Sequence, residues 1–238
     1  MDYQFTIIVP IYNEEDNILR LKNALSHYIT IASKKTKVLF INDGSTDKSL
    51  DLITAICKDK TFFSFISFDK NYGLSAAIKA GFDIVDTALV GYMDSDLQTS
   101  PNDFNTLLKH IEDYDLVTGM RDNRQDSVTK KWSSKAANKF RRLFTNDGID
   151  DTGCPLKVIK TAYAKNIPMF KGLHRFLPAM VLLQNGRIKQ IPIAHFSRLA
   201  GQSKFGFWNR SIGPFIDCFV FLWIKKRYIN YTITKQKL

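Results

Sequence analysis

Apolar and polar positions alternate in blocks through the first half of the chain. FTIIVPIY (5–12) is a β-branched apolar run, and in the stretch that follows Ile18, Leu21, Leu25 and Tyr28 recur at helical spacing. KVLFIND (37–43) is a second such run, after which Leu50, Ile53 and Ile56 share one helical face. FFSFISF (62–68), GLSAAIKAGFDIV and ALVGYMD (88–94) continue the alternation. Strand and helix periods alternating in this way predict right-handed crossovers and a mostly parallel sheet flanked by helices, an α/β fold. Ligands of such sheets bind beyond the carboxyl ends of the strands. Four polar motifs fall there: Asn13-Glu14, Asn42-Asp43-Gly44, Asp69 to Gly73, and Asp94-Ser95-Asp96.

The second half is patterned less regularly. A proline-started helix is predicted from Pro101 to about His110, and DLVTGMR (115–121) reads as a strand. Residues 122–150 are basic and polar, a loop leading into a helix around Ser133 to Phe144; the segments from Asp151 to Arg198 read as compact α+β structure. The most apolar stretch is FGFWNRSIGPFIDCFVFLWIKKRY (205–228), in which the run Phe215 to Ile224 is too short to span a bilayer and contains Asp217. With Lys225, Lys226, Arg227, Lys235 and Lys237 behind it, it reads as an interfacial helix with aromatic anchors and a basic end. The blander alternative is a helix packed on the core or in an oligomer interface. One domain over 1–204, with halves 1–120 and 121–204, and a tail over 205–238 are expected.

Composition narrows this further. An apolar share of 45% in 238 residues is ample for a packed core and excludes general disorder. Cys57, Cys154 and Cys218 have neither disulfide nor zinc spacing, which points to a reducing compartment, and the N-terminus does not read as a leader peptide. The net charge of +11 conceals a split: residues 1–120 carry 11 Lys+Arg against 17 Asp+Glu, residues 121–238 carry 23 against 6. Such asymmetry implies a polyanionic partner for the second half. Nucleic acid fits poorly, because Phe and Trp cluster in one apolar run instead of interleaving with the basic residues.

Candidate chemistry starts at GYMDSDLQTSP (91–101). Two carboxylates at a strand end repel and resist desolvation unless a cation lies between them. Asp94 and Asp96, with Gln98 two residues on, form a hard-oxygen set suited to Mg²⁺ or Mn²⁺ carrying a diphosphate. The alternative is that Asp96 merely caps the following turn. Asp43 is placed to accept from a base N–H, or else belongs to an ordinary turn. DKNYGLSAAIKAG offers backbone N–H groups at a helix start, but it is neither a Walker loop nor a dinucleotide fingerprint.

In this order IIVPIYNEE, FINDGSTDKS, NYGLSAAIKAG, GYMDSDLQTSP and VTGMR resemble the family-2 inverting glycosyltransferases of GT-A fold, over roughly residues 5–205. The resemblance extends to the subgroup of dolichol-phosphate mannose synthase and bacterial polyprenyl-phosphate glycosyltransferases. It implies a nucleotide-sugar donor, UDP- or GDP-linked, held by Pro10, Tyr12, Glu14, Asp43, Asp94 and Ser95, with Asp94, Asp96 and Gln98 as the metal and diphosphate site. Arg198, Ser203 and Lys204 match the subgroup's R-x-x-G-x-S-K pattern, which implies phosphate binding at the reaction centre; by residue type alone they are a solvated basic loop. Arg121 matches a family arginine, and Lys130 or Lys131 stands near the place of another.

The implied reaction is inverting, metal-dependent transfer of a hexosyl group to a polyprenyl monophosphate at the cytoplasmic membrane face. A lipid phosphate is already anionic and requires no general base, whereas a hydroxyl acceptor on a glycan requires one. The usual base block of hydroxyl-directed relatives is absent, and Asp151 is either that base or an acid ordering the basic loop. A catalytically silent nucleotide-sugar-binding subunit is the third reading. The tail docks on anionic lipid unaided, or with an integral-membrane partner protein or a second copy of the chain.

Overall fold

The computed structural model describes residues 2–122, 140–197, 207–231 and 234; for 207–212 and 214 it describes the backbone alone. Seven strands form one sheet: β1 (Phe5–Ile11), β2 (Thr36–Asn42), β3 (Phe63–Ser67), β4 (Leu89–Tyr92), β5 (Leu116–Arg121), β6 (Lys157–Lys160) and β7 (Ile188–Ile193). Their order is β3-β2-β1-β4-β6-β5-β7. All neighbouring pairs are parallel except those made by β6, which runs antiparallel to both β4 and β5. The mostly parallel α/β sheet read from the alternating pattern is therefore what forms.

Helices α1 (Glu15–Ile31), α2 (Ser49–Asp59) and α3 (Leu74–Ile84) are the crossovers of the first half. Ile18, Leu21, Leu25 and Tyr28 of α1 are buried on the face that the spacing marks. The second half contributes α4 (Asp103–Leu108), α5 (140–145), α6 (Thr161–Lys165), a 3-10 turn (Leu173–Phe176), α7 (Leu177–Leu183) and α8 (Phe207–Arg227). Two apolar layers sandwich the sheet. One holds Phe5, Val9, Leu21, Phe40 and Phe104; the other holds Ile8, Ile41, Phe82, Tyr92, Phe176 and Phe221.

The strand order places the topological switch between β1 and β4. The chain winds outward from β1 through β2 and β3, then returns to β4 on the other side of β1. β4 pairs β1 only from Phe5 to Ile8, so Pro10, which has no N–H to give, lies beyond the reach of that ladder. Open α/β sheets bind their ligands beyond the strand ends at such a switch point.

The C-terminal helix packs on the core along one side. α8 buries Cys218 and Phe221, the latter stacked on Phe176 at 5.5 Å and 15°. Its other side leaves Phe215, Ile216, Phe219 and Trp223 about half exposed or more. α5 lies alongside, with Phe140 stacked on Phe215 and Phe144 edge-on to Phe219. Among the described residues no helix is long and apolar enough to cross a membrane.

Candidate active site

The acidic motif follows β4 directly. The predicted strand over 88–94 stops at Tyr92, and Asp94 and Asp96 occupy the turn beyond it. The Tyr92 hydroxyl donates to Asp94 Oδ1 at 2.7 Å. Asp96 Oδ1 accepts from the Gln98 N–H at 3.2 Å, so this carboxylate does cap its turn while its residue is 6% exposed. Leu97 between them adopts φ 55°, a left-handed conformation that L side chains rarely take and that recurs at ligand sites. Ser95 is buried with Asp96, and Asp94 is half-buried. The loop is pinned from outside by Phe196, whose N–H donates to the Gln98 carbonyl at 2.9 Å.

Burial, and then the nearby Asp96 charge, push the Asp94 carboxyl up to about 6; its bond from Tyr92 and the charges of Lys157 and Arg121 pull the other way. Two confined carboxylates under this tension are a site short of positive charge. Among the described residues no group of three His, Cys, Asp or Glu is placed to hold a metal ion. Asp94, Asp96 and Gln98 are the oxygen-bearing residues of this turn whose chemistry suits a hard divalent cation.

Two cations were missed in reading the sequence. Lys157 opens β6, and its register sets it opposite Tyr92, the last residue of β4. The side chain is fully buried, donates to the carbonyls of Cys154 and Thr152, and lies 5.9 Å from the Tyr92 ring centroid. Burial lowers its pKa, with Cys154, Asp151 and Asp94 opposing. The second cation, Arg175, is taken up below.

Arg121 and Asp151 meet in a bidentate pair. Arg121 Nε donates to Asp151 Oδ2 at 2.7 Å, Nη2 donates to Oδ1 at 2.8 Å, and the Arg121 backbone N–H adds a bond to Oδ2. Both side chains are mostly buried. A carboxylate clamped by a guanidinium through both oxygens is a poor proton acceptor, which favours the ordering role for Asp151 over the role of base.

The donor-side motifs are laced to one another. Asn13, at φ 50°, accepts from the Thr46 N–H at 2.7 Å, while the N–H groups of Asn13 and Glu14 donate to Ser45 Oγ and Ser49 Oγ. The Glu14 carboxylate accepts from Asn17 Nδ2 at 2.6 Å, inside the first turn of α1. The buried Asp43 carboxylate accepts from the N–H groups of Tyr72 and Gly73 and from Asn71 Nδ2. Burial raises the Asp43 pKa and the two backbone N–H groups lower it. Asp43 thus holds the loop that opens α3. Pro10 and Tyr12, both half-buried, stand at the carboxyl end of β1.

Five candidates, Lys130, Lys131, Arg198, Ser203 and Lys204, lie outside the described residues.

The family model of glycosyl transferase family 2 matches residues 6–167, which is more than half of the chain and includes Asp43, Asp94, Asp96, Arg121 and Asp151. The chain belongs to glycosyl transferase family 2. This family-2 chain is 29% identical over 209 residues to a dodecaprenyl-phosphate galacturonate synthase of Rhizobium johnstonii, covering 85% of the chain and 62% of that protein. It is 31% identical over 204 residues to an undecaprenyl-phosphate 4-deoxy-4-formamido-L-arabinose transferase of Salmonella choleraesuis, with the same coverage. It therefore spans about three fifths of the length of these curated relatives.

Among solved structures, glucosyl-3-phosphoglycerate synthase of Mycobacterium tuberculosis, in complex with Mn²⁺, UDP and glucosyl-3-phosphoglycerate, superposes with a TM-score of 0.71. That likeness covers 94% of this chain and 80% of the other at 13% identity. A mannosyltransferase of Pyrobaculum calidifontis in complex with GDP-Man and Mn²⁺ gives 0.66 at 14% identity, over 98% of this chain and 66% of the other. These likenesses show the GT-A fold.

Proposed function

We propose that this chain transfers a hexosyl group from a UDP- or GDP-linked sugar to a polyprenyl monophosphate, with inversion, at the cytoplasmic face of a membrane. The observation that carries the reading is the pairing of Asp151 with Arg121: the one acid offered as a general base has both oxygens on a guanidinium. An acceptor that is already anionic requires no base. The two relatives with the same 85% coverage are named as dodecaprenyl- and undecaprenyl-phosphate enzymes, which supports the acceptor class.

The residues divide the work by charge. Asp94 and Asp96, with Gln98, would hold a divalent cation, Mg²⁺ or Mn²⁺, which when bound supplies charge neutralisation to the leaving diphosphate. Asp43 fixes the loop at the start of α3 beside the carboxyl end of β1, where the nucleotide would lie. Arg121, held rigid by Asp151, adds positive field on the acceptor side. An oxygen of the acceptor phosphate attacks the anomeric carbon as the bond to the diphosphate oxygen breaks. The nucleoside diphosphate departs with that electron pair, and no proton moves. The exposed aromatic face of α8, next to Lys225, Lys226 and Arg227, supports peripheral contact with anionic lipid.

The test offers the protein labelled UDP- and GDP-sugars with Mg²⁺ or Mn²⁺, with and without a polyprenyl monophosphate. Label entering the lipid fraction, lost on chelation and in Asp96→Ala, is the expected result. Metal-dependent donor binding with transfer only to a hydroxyl would overturn the acceptor.

A further inference from the structure

The 3-10 turn ahead of α7 carries charge that the reaction above leaves unused. The Gly172 N–H donates to Ser75 Oγ at 3.0 Å, and the same hydroxyl lies 2.9 Å from His174 Nδ1, which ties the turn to the first residues of α3. Leu173 and Phe176 anchor it in the core layer that holds Tyr92 and Phe221. Residues three apart on a 3-10 turn share a face, so His174 and Arg175 project away from those anchors. Burial holds His174 neutral, its pKa down to about 3, with Arg175 and Lys157 pushing the same way. Arg175 feels Asp217 and Tyr92, and the Tyr92 hydroxyl is the one bonded to Asp94.

A half-buried guanidinium is stable only when paired. Arg175 Nη1 lies 3.6 Å from Asp217 Oδ2, well beyond the 2.7 and 2.8 Å of the Arg121–Asp151 fork. Asp217 is the only acid in α8 and interrupts its apolar run. Its carboxylate packs against Gly172 so closely that a Cβ at that position would collide with it. On the same helix Phe215, Ile216 and Phe219 face outward.

We propose that Arg175 binds the phosphate of the lipid acceptor, and that Asp217 holds the guanidinium in place until that phosphate arrives. The inference rests on the acceptor class proposed above and deepens it. A tetrahedral phosphate fills the planar fork that Asp217 meets loosely, and a phosphate oxygen is a stronger partner for it. The ligand is an amphiphile, and the helix that carries Asp217 is one too: Phe215 and Phe219 leave their rings half exposed on the side turned away from Asp217. A free phosphate would make no use of that face.

The test is calorimetric titration of the full chain with citronellyl monophosphate and, separately, with inorganic phosphate and with the nucleoside diphosphate plus Mn²⁺. Arg175→Ala should weaken the lipid phosphate about 10- to 100-fold, the range for losing one charge-assisted contact. Arg175→Lys should recover part of that loss, and nucleotide binding should change less than about twofold. Asp217→Asn should bind the lipid phosphate more tightly, since a competing carboxylate is gone. In turnover, Arg175→Ala should raise the acceptor KM and leave the donor KM in place. Unchanged lipid-phosphate binding in Arg175→Ala would overturn the inference. So would equal losses in Arg175→Ala and Asp217→Asn with matching falls in Tm, because the pair would then only dock α8. Inorganic phosphate binding as tightly as the lipid phosphate would overturn the lipid source. A wild-type chain that binds nucleotide but no lipid phosphate would sink the acceptor class itself, a failure distinct from that of Arg175.

Discussion

Lys157 and Tyr92 face each other across the β4–β6 ladder, and together they underlie the acidic motif: the lysine lies against the ring, and the ring's hydroxyl holds Asp94. A buried cation thus sits behind one buried acid, Asp96, and one half-buried acid, Asp94. It opposes the rise in the Asp94 pKa. Replacing it by an apolar residue of similar length should let that pKa climb. In Lys157→Met the pH below which Mn²⁺ binding is lost should move up by about 0.5–1 unit, read from paramagnetic resonance of free Mn²⁺ across a pH series.

The sign of the Asp94 effect on stability follows from linkage. Its folded pKa, near 6, lies above the ordinary carboxylate value, so the native metal-free state binds more protons between about pH 4 and 6 and loses stability as pH rises through that window. Asp94→Asn removes the penalty. In thermal melts at pH 7.5 without divalent ions, Tm should rise by about 2–6 °C while Mn²⁺ binding disappears. In the wild type, divalent affinity should fall as pH drops below about 6, because the cation competes with the proton.

Asp151→Asn separates the two roles considered for that acid. Removing one partner of a mostly buried ion pair costs about 3 kcal/mol or more. As a clamp on Arg121, the variant should lose that stability in urea titrations and lose turnover in part. A general base would show the opposite split: near-complete loss of turnover at full stability.

Gly44 lies where the turn after β2 meets the loop before α3. It has φ 65°, and a Cβ there would run into the backbone of Lys70. Gly44→Ala should cost about 2–4 kcal/mol through strain and displacement of that loop. Because Asp43 grips the same loop, nucleotide binding should weaken in calorimetry even where the variant remains folded.

On α8, Ile216→Ser with Trp223→Ser changes two apolar side chains that are more than half exposed. Co-sedimentation with vesicles containing anionic lipid should drop about tenfold or more, with Tm within a degree or two of the wild type. Unaltered sedimentation would count against this face as the membrane contact.

The local half of the protein was legible in its sequence. Continuous β-branched apolar runs and helical spacing at Ile18, Leu21 and Leu25 specify strands buried on both faces and helices buried on one, whatever surrounds them. A D-x-D at the end of an apolar strand announces an acidic site. Glu14 marks the limit of this reasoning: nothing in its motif foretells that it accepts from Asn17. What pairs with what across the sheet was decided only by the tertiary structure. The antiparallel insertion of β6 sets Lys157 beneath Tyr92, the end of β5 delivers Arg121 to Asp151, and the docking of α8 brings Asp217 to Arg175. Hydrophobic periodicity specifies which side of an element is buried, but it carries no register between distant elements. The partners of buried charges depend on that register, and so does the electrostatics of the site.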